Sequence, residues 1–157
     1  LVVLDWMSHW IRDRREEFDM VARCADVVLL NSEEASLLGD GDQGFAVTQI
    51  LDGGCSWVVM KRGEQGAVAF SHDKSITVSS VRPCYVTDPT GAGDAFAGGL
   101  VSALAGSGTH LLDMEVAMGR AAVMGSLAVE SFSIDRLLEM TTDEAASRAH
   151  EVPVRVG

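Results

Sequence analysis

The stretch Asp88-Pro89-Thr90-Gly91-Ala92-Gly93-Asp94-Ala95-Phe96-Ala97-Gly98-Gly99 holds the residues best suited to chemistry. Asp88-Pro89 reads as a turn, because proline pushes the preceding residue out of helical geometry. Thr90 is placed to cap a helix start, and Gly91 and Gly93 admit backbone angles that other residues resist. From Ala92 the apolar positions 92, 95, 96, 99, 100, 103 and 104 keep helical spacing, which predicts a helix over 92–105. A glycine-lined helix N-terminus offers free N–H groups at the positive end of the helix dipole, and such a place binds anions. Asp94 stands in its first turn, where an acid is either a partner for the dipole or a catalytic base. The pattern is not a dinucleotide fingerprint, since Phe96 stands where a third glycine belongs, and no Gly-Lys-Ser/Thr follows to make a P-loop. Gly98-Gly99 inside the helix costs about 1 kcal/mol per glycine relative to alanine. That cost implies close approach of another backbone or a ligand.

Three further groups carry candidate chemistry, each with a structural reading beside it. Asn31-Ser32-Glu33-Glu34 has the spacing of a capping box, and it also suits an active edge where Glu34 orients Mg²⁺-bound water. Lys61-Arg62-Gly63-Glu64-Gln65-Gly66 is either a plain turn after a strand or a loop passing under a nucleotide, with Lys61 near its phosphates. Asp5 is a solvated loop acid, or it binds a hydroxylated substrate or the metal.

The elements that must position these residues are legible in order. Leu1–Asp5, Asp26–Asn31 and Trp57–Lys61 are apolar runs ending in a polar residue, as buried parallel strands do. Trp6–Trp10 reads as a loop and Arg12–Cys24 as an amphipathic helix. Ser32–Leu38 reads as a short helix stopped by Gly39, and Phe45–Leu51 as a helix ended by Gly53-Gly54. Ala67–Phe70 and Ser75–Ser79 are short β segments around His72-Asp73-Lys74, in the manner of a hairpin, and Val81–Thr87 leads into the glycine stretch. Gly106-Ser107-Gly108 closes the helix after it, Asp113–Glu130 is a long helix apolar nearly all round, and Thr141-Thr142-Asp143-Glu144 is a capping box opening a last helix. Strands alternating with helices imply a parallel sheet covered by helices, with ligands beyond the carboxyl ends of the strands. Asp5, Asn31 and Lys61 fall at that edge, and the turn before helix 92–105 is expected there too.

At 157 residues, 47% hydrophobic and 22% charged, the chain is expected to form one globular domain, residues 1–157. No apolar run reaches the roughly 18 residues of a membrane span. A net charge of −11 argues against nucleic acid or an anionic membrane as partner. Cys24, Cys55 and Cys84 have no CxxC spacing and read as reduced thiols of a cytoplasmic protein. His9, His72, His110 and His150 make no metal spacing. The chain opens on a strand without an initiator Met, so an N-terminal part is expected to be missing.

Together these motifs resemble the ribokinase-like, PfkB carbohydrate kinase family. Residues 88–99 match its C-terminal signature nearly position for position, with Pro89 where the family commonly has Thr. Asn31-x-x-Glu34 and the segment Val58–Gly66 match two weaker motifs, in the family's order. The resemblance implies an α/β, three-layer ribokinase-like fold: a mostly parallel sheet flanked by helices, with a C-terminal β-hairpin addition, present here as the C-terminal half without the N-terminal part and lid. It implies an ATP-dependent phosphotransferase acting on a hydroxyl of a sugar or sugar-like substrate. Asp94 would be the base, touching that substrate, and the N–H groups of Gly91, Ala92, Gly93 and Asp94 the anion hole. Glu34 would hold Mg²⁺ through water. Asn31, Lys61, Gly63 and Gly66 would line the nucleotide, with Gly125 and Ser126 near the adenine. Some members bind a monovalent cation such as K⁺ near the residues matching Asp88 and Thr90. Asp5 lies in the variable substrate segment, and a homodimer would form through the lid. A nucleoside kinase on the same fold and an inactive nucleotide-binding fragment are the alternatives. Without its N-terminal half the chain alone is expected to have little or no activity.

Overall fold

Val27-Val28-Leu29-Leu30 and Trp57-Val58-Val59-Met60 have no polar residue to turn toward water, so both faces of each run must be covered. The computed structural model, which describes residues 1–83, 85–106 and 114–157, covers them. Strands β1 (Val3–Asp5), β2 (Val27–Asn31) and β3 (Trp57–Lys61) pair in parallel, with Asp5 beside Leu29 and Asn31 beside Lys61. In β2 and β3 every residue is buried except the last. These strands belong to the first of two compact units, made of Leu1–Arg62, Val68–Ser75 and Gly157. Its helices are α1 (Ser8–Asp13), α2 (Arg15–Ala22), α3 (Ser32–Leu38) and α4 (Gln43–Asp52). They seal a core in which Ile11, Phe18, Leu38, Val47 and Ile50 meet Val28, Leu30, Val58 and Met60. Most of β4 (Ala67–Phe70) belongs to this unit as well, followed by a turn in which Ser71 N–H donates to the Lys74 carbonyl at 2.9 Å.

The structure corrects two expectations here. Residues 6–10 are not all loop: α1 starts at Ser8, where the Met7 carbonyl accepts from both Trp10 and Ile11 N–H. The helix expected over 12–24 is broken at Arg14 (φ −139°, ψ 46°) into α1 and α2. Ser8-His9-Trp10 carry no apolar periodicity, and α1 owes its place to the packing of the buried Ile11 and to contact with α3. Asp42 supplies an N-cap for α4 by accepting from Phe45 N–H at 3.1 Å.

The second unit comprises Gly63–Ala67 and Ile76–Val156. A 3₁₀ turn spans Gly63–Gln65, and β5 (Ser75–Val78), which enters the unit at Ile76, pairs antiparallel with β6 (Val154–Val156). The helices are α5 (Ala92–Gly106), α6 (Met114–Ala128), α7 (Asp135–Glu139) and α8 (Thr142–His150). Helices α5 and α6 pack closely and bury Phe96, Leu100, Leu104, Met118, Val123 and Leu127. Neither α7 nor β6 follows from periodicity: α7 buries no residue and β6 is largely exposed. The capping box expected at 141–144 is only half formed. Thr141 accepts from Glu144 N–H at 3.2 Å, but the Glu144 carboxylate pairs with Arg136 and Arg148 instead of returning to the cap. Cys84, His110, Asp113 and the helix closure at Ser107-Gly108 lie outside the described residues.

The glycine pair in α5 separates into two cases. A Cβ on Gly99 would meet Met124 Cγ at 2.7 Å and the Ala121 Cα at 3.1 Å, so this glycine permits the close α5–α6 approach. A Cβ on Gly98 would meet nothing within 4 Å. Gly99→Ala should therefore destabilise the protein by about 1–2 kcal/mol through overpacking. Gly98→Ala should stabilise it by up to about 1 kcal/mol through helix propensity. Urea unfolding of the two variants checks the opposite signs.

Candidate active site

In the first unit the parallel register brings three strand ends to one edge. Asp5, Asn31 and Lys61 are the last residues of β1, β2 and β3. Each strand is apolar until it clears the core, so its first polar residue marks where the chain reaches solvent. Asn31 then caps α3. Its Oδ1 accepts from Glu34 N–H at 2.9 Å, and Glu34 Oε2 accepts from Asn31 N–H at 2.8 Å, so both halves of the capping box are formed. Glu34 is 5% exposed. Burial pushes its carboxyl pKa up, against the opposing pull of the Asn31 N–H and the positive charge of Lys61. Lys61 Nζ donates to both oxygens of Asp5 at 2.9 Å. The lysine expected near phosphates is thus held by an aspartate in this structure.

The capping role does not use up Glu34. One carboxylate oxygen takes the Asn31 N–H, and the other makes no hydrogen bond among the described residues. No group of three or more His, Cys, Asp or Glu residues with metal-holding geometry exists among the described residues. A single free carboxylate oxygen suits Mg²⁺, which keeps most of its waters and takes few protein ligands; it does not suit a fully protein-ligated metal.

In the second unit the glycine stretch forms a sequence of short turns. Asp88 Oδ1 accepts from Thr90 N–H at 2.9 Å, so Asp88 caps this turn, in the place expected for Thr90. That N–H, with the Thr90 hydroxyl, holds the Asp88 carboxyl below its ordinary pKa. Gly91 takes φ +80°, the left-handed region that favours glycine, and a Cβ there would meet nothing within 4 Å. Ala92 N–H donates to the Pro89 carbonyl at 3.3 Å and Ala95 N–H to Gly91 at 2.9 Å. Among the described residues the N–H groups of Gly91, Gly93 and Asp94 have no acceptor. Of the four N–H groups expected in the anion hole, three are free and the Ala92 group is engaged in the turn. Asp94 is exposed in the first turn of α5. The arrangement can receive an anion on backbone donors beside an accessible carboxylate.

The other expected residues divide. Gly63 (φ +57°) has open space around it, whereas a Cβ on Gly66 (φ +87°) would lie 2.1 Å from the Val78 carbonyl oxygen, so Gly66 serves close backbone approach. Gly125 faces the Ala92 carbonyl (3.2 Å from a Cβ) and Phe96, seating α6 against the start of α5. Ser126 is 7% exposed and its Oγ has no hydrogen-bond partner among the described residues. Sequence reasoning missed an ion network: Glu130, 3% exposed, pairs with Arg136 (3.1 Å) and Arg148 (3.3 Å), and Glu144 joins both arginines. Its one signal was an acid, Glu130, just beyond a largely apolar helix.

A family profile, that of the pfkB family carbohydrate kinases, matches residues 2–139. A fructokinase of Rhizobium leguminosarum bv. trifolii is 32% identical over 103 residues, 65% of this chain and 30% of the relative. A cytidine kinase of Thermococcus kodakarensis is 31% identical over 91 residues, 57% of this chain and 33% of the relative. Among solved structures, the Methanocaldococcus jannaschii nucleoside kinase, an archaeal member of the ribokinase family, superposes with a TM-score of 0.79 at 22% identity. The match covers 96% of this chain and 48% of that one. Aminoimidazole riboside kinase from Salmonella enterica, solved with aminoimidazole riboside and an ATP analog, gives 0.79 at 23% identity, over 94% of this chain and 52% of that one. The fold is the ribokinase-like α/β fold, with six strands and eight helices among the described residues. The chain spans about a third of the curated relatives' length and about half that of the solved structures.

The electrostatics of Glu34 have a measurable consequence. The folded protein binds this proton more tightly than the unfolded chain, so ionising Glu34 costs stability. The cost is absent below the ordinary carboxylate range and fully present above the raised pKa. Glu34→Gln keeps an oxygen acceptor for Asn31 and removes the charge. Thermal melts from about pH 4 to about pH 8 should show the variant gaining on the parent as pH rises; a pH-independent difference would refute the assignment.

Proposed function

The chain belongs to the pfkB family of carbohydrate kinases, and from that premise we propose that the whole protein transfers the γ-phosphoryl of ATP to a hydroxyl of a sugar or sugar-like substrate. The observation that carries this reading is the pairing of free Gly91, Gly93 and Asp94 N–H groups with the exposed Asp94 carboxylate at the start of α5. Phosphoryl transfer asks little covalent work of a protein. It asks for reactants held in line and for donors aimed at the charge on the moving group.

Each residue then has a task. The Asp94 carboxylate accepts the proton of the acceptor hydroxyl as bonding to phosphorus develops. The backbone donors of Gly91, Gly93 and Asp94 receive the transferring group, and they cost no reorganisation because α5 already orients them. Ala92 belongs to the same turn and fixes its curvature through Pro89. Mg²⁺, when bound, neutralises phosphate charge. Glu34 would hold that ion through a water on the carboxylate oxygen that the capping box leaves open, and Asn31 keeps Glu34 in place. Lys61, Gly63 and Gly66 line the nucleotide, with Gly125 and Ser126 toward the adenine. Asp5 acts by holding Lys61 and lies in the substrate segment. Asp88 and Thr90 are the place for a monovalent cation such as K⁺.

A nucleoside acceptor is the second reading, favoured by the likeness to a cytidine kinase. No helix among the described residues is long and apolar enough to cross a membrane. The chain by itself, spanning a third to a half of its relatives, should turn over little or nothing.

Two measurements test the proposal. In the whole protein, Asp94→Asn should lower kcat by at least about a hundredfold while Mg-ATP binding persists. An unchanged kcat removes Asp94 from the base role. A coupled ADP-release assay over a panel of sugars and nucleosides should find turnover with the whole protein and little with residues 1–157. Turnover by those residues alone would overturn the requirement for the rest of the chain.

A further inference from the structure

The free N–H groups at the start of α5 are useful only if the turn before them is held still, and the second unit holds it from behind. Thr87 and Asp88 both donate their backbone N–H to the Val129 carbonyl, at 2.7 and 3.3 Å. Thr87 Oγ1 donates to the Glu130 carbonyl at 3.1 Å. From there each turn fixes the next: Asp88 Oδ1 takes Thr90 N–H, the Pro89 carbonyl takes Ala92 N–H, and Gly91 takes Ala95 N–H. The acceptors at 129–130 are themselves anchored. The Glu130 carboxylate is buried and bound by Arg136 Nε and Arg148, whose other partner is Glu144, and Arg136 N–H donates to Ser131 Oγ at 2.9 Å. Glu144, first, and Glu130 hold the Arg136 guanidinium firmly protonated. A buried carboxylate bound by two arginines resists displacement, because losing either leaves charge uncompensated.

We propose that Thr87 is a positioning residue for the anion-binding turn: its hydroxyl clasps the turn to the Glu130 carbonyl, and the Glu130–Arg136–Glu144–Arg148 network keeps that carbonyl in place. The inference rests on the phosphotransfer reading for its catalytic consequence but not for its structural one. Thr87 is exposed and touches neither substrate nor phosphate in this scheme. Its only side-chain hydrogen bond among the described residues is the one to Glu130. The family signature begins at Asp88, so the motif itself does not single Thr87 out.

The test compares Thr87→Val, which keeps the shape and removes the donor, with Thr87→Ser, which keeps the donor and removes the methyl. In the whole protein without nucleotide, exchange of the hydrogen-bonded amides of the turn, those of Thr87, Asp88, Thr90 and Ala92, should quicken about fivefold in Thr87→Val, the size of one lost hydrogen bond. It should stay at the parental rate in Thr87→Ser. With substrates saturating, kcat should fall about tenfold in Thr87→Val, with the KM for ATP changed by less than about threefold, and recover in Thr87→Ser. Equal exchange in Thr87→Val and the parent would overturn the proposal, as would equal damage in both variants, which would make the methyl group responsible. If exchange responds as stated but no variant, Asp94→Asn included, alters kcat, the clasp stands and the phosphotransfer reading fails.

Discussion

A helix cannot satisfy its own first N–H groups, and the start of α5 makes use of that constraint. Three of the described helices answer it with a side chain: Asn31 caps α3, Asp42 caps α4 and Thr141 caps α8. At α5 the capping acid is set further back, on Thr90 N–H, and the donors of Gly91, Gly93 and Asp94 are left open. Much of the second unit follows from keeping those donors presented. Gly91 turns through positive φ, Gly125 lets α6 seat against the Ala92 carbonyl, and Gly99 lets the two helices close. The segment 87–88 is tied to the end of α6 through Val129 and Glu130.

The first unit solves a different problem with the same economy. Fully buried parallel strands can present chemistry only at their ends, so Asp5, Asn31 and Lys61 each sit on the last residue of a strand. Glu34 follows one turn later and pays a desolvation cost, visible in its raised pKa. The capping box and the Lys61 charge offset that cost in part. A carboxylate needed only as a cap would do as well exposed. Its burial beside charged neighbours, with one oxygen free, is a physical argument for a second task.

The parts of this architecture that rest on local chemistry were legible in the residues. The β2 and β3 cores, the Asn31–Glu34 box and the glycine turn into α5 all follow from patterns a few residues long. What was hidden depends on distant partners. Arg14 breaks a helix that periodicity carried from 12 to 24, because α1 is placed by Ile11 and by its packing on α3. Strand β6 exists only through its pairing with β5, and Glu144 left its expected capping role for Arg136 and Arg148. Thr87 lies just outside the signature, and nothing in its neighbours announces a bond to residue 130. The pairing of Lys61 with Asp5, 56 positions apart, is of the same kind.

The central claim is that the open backbone donors at the start of α5 receive phosphate. Amide chemical shifts of the whole protein, followed by ¹⁵N NMR during titration with Mg-ATP, read those donors directly. The account predicts saturable shifts at Gly91, Gly93 and Asp94, attenuated in the variant Gly91→Ala, whose side chain opposes the φ of +80°. Binding of Mg-ATP that left those three amides unmoved would contradict it.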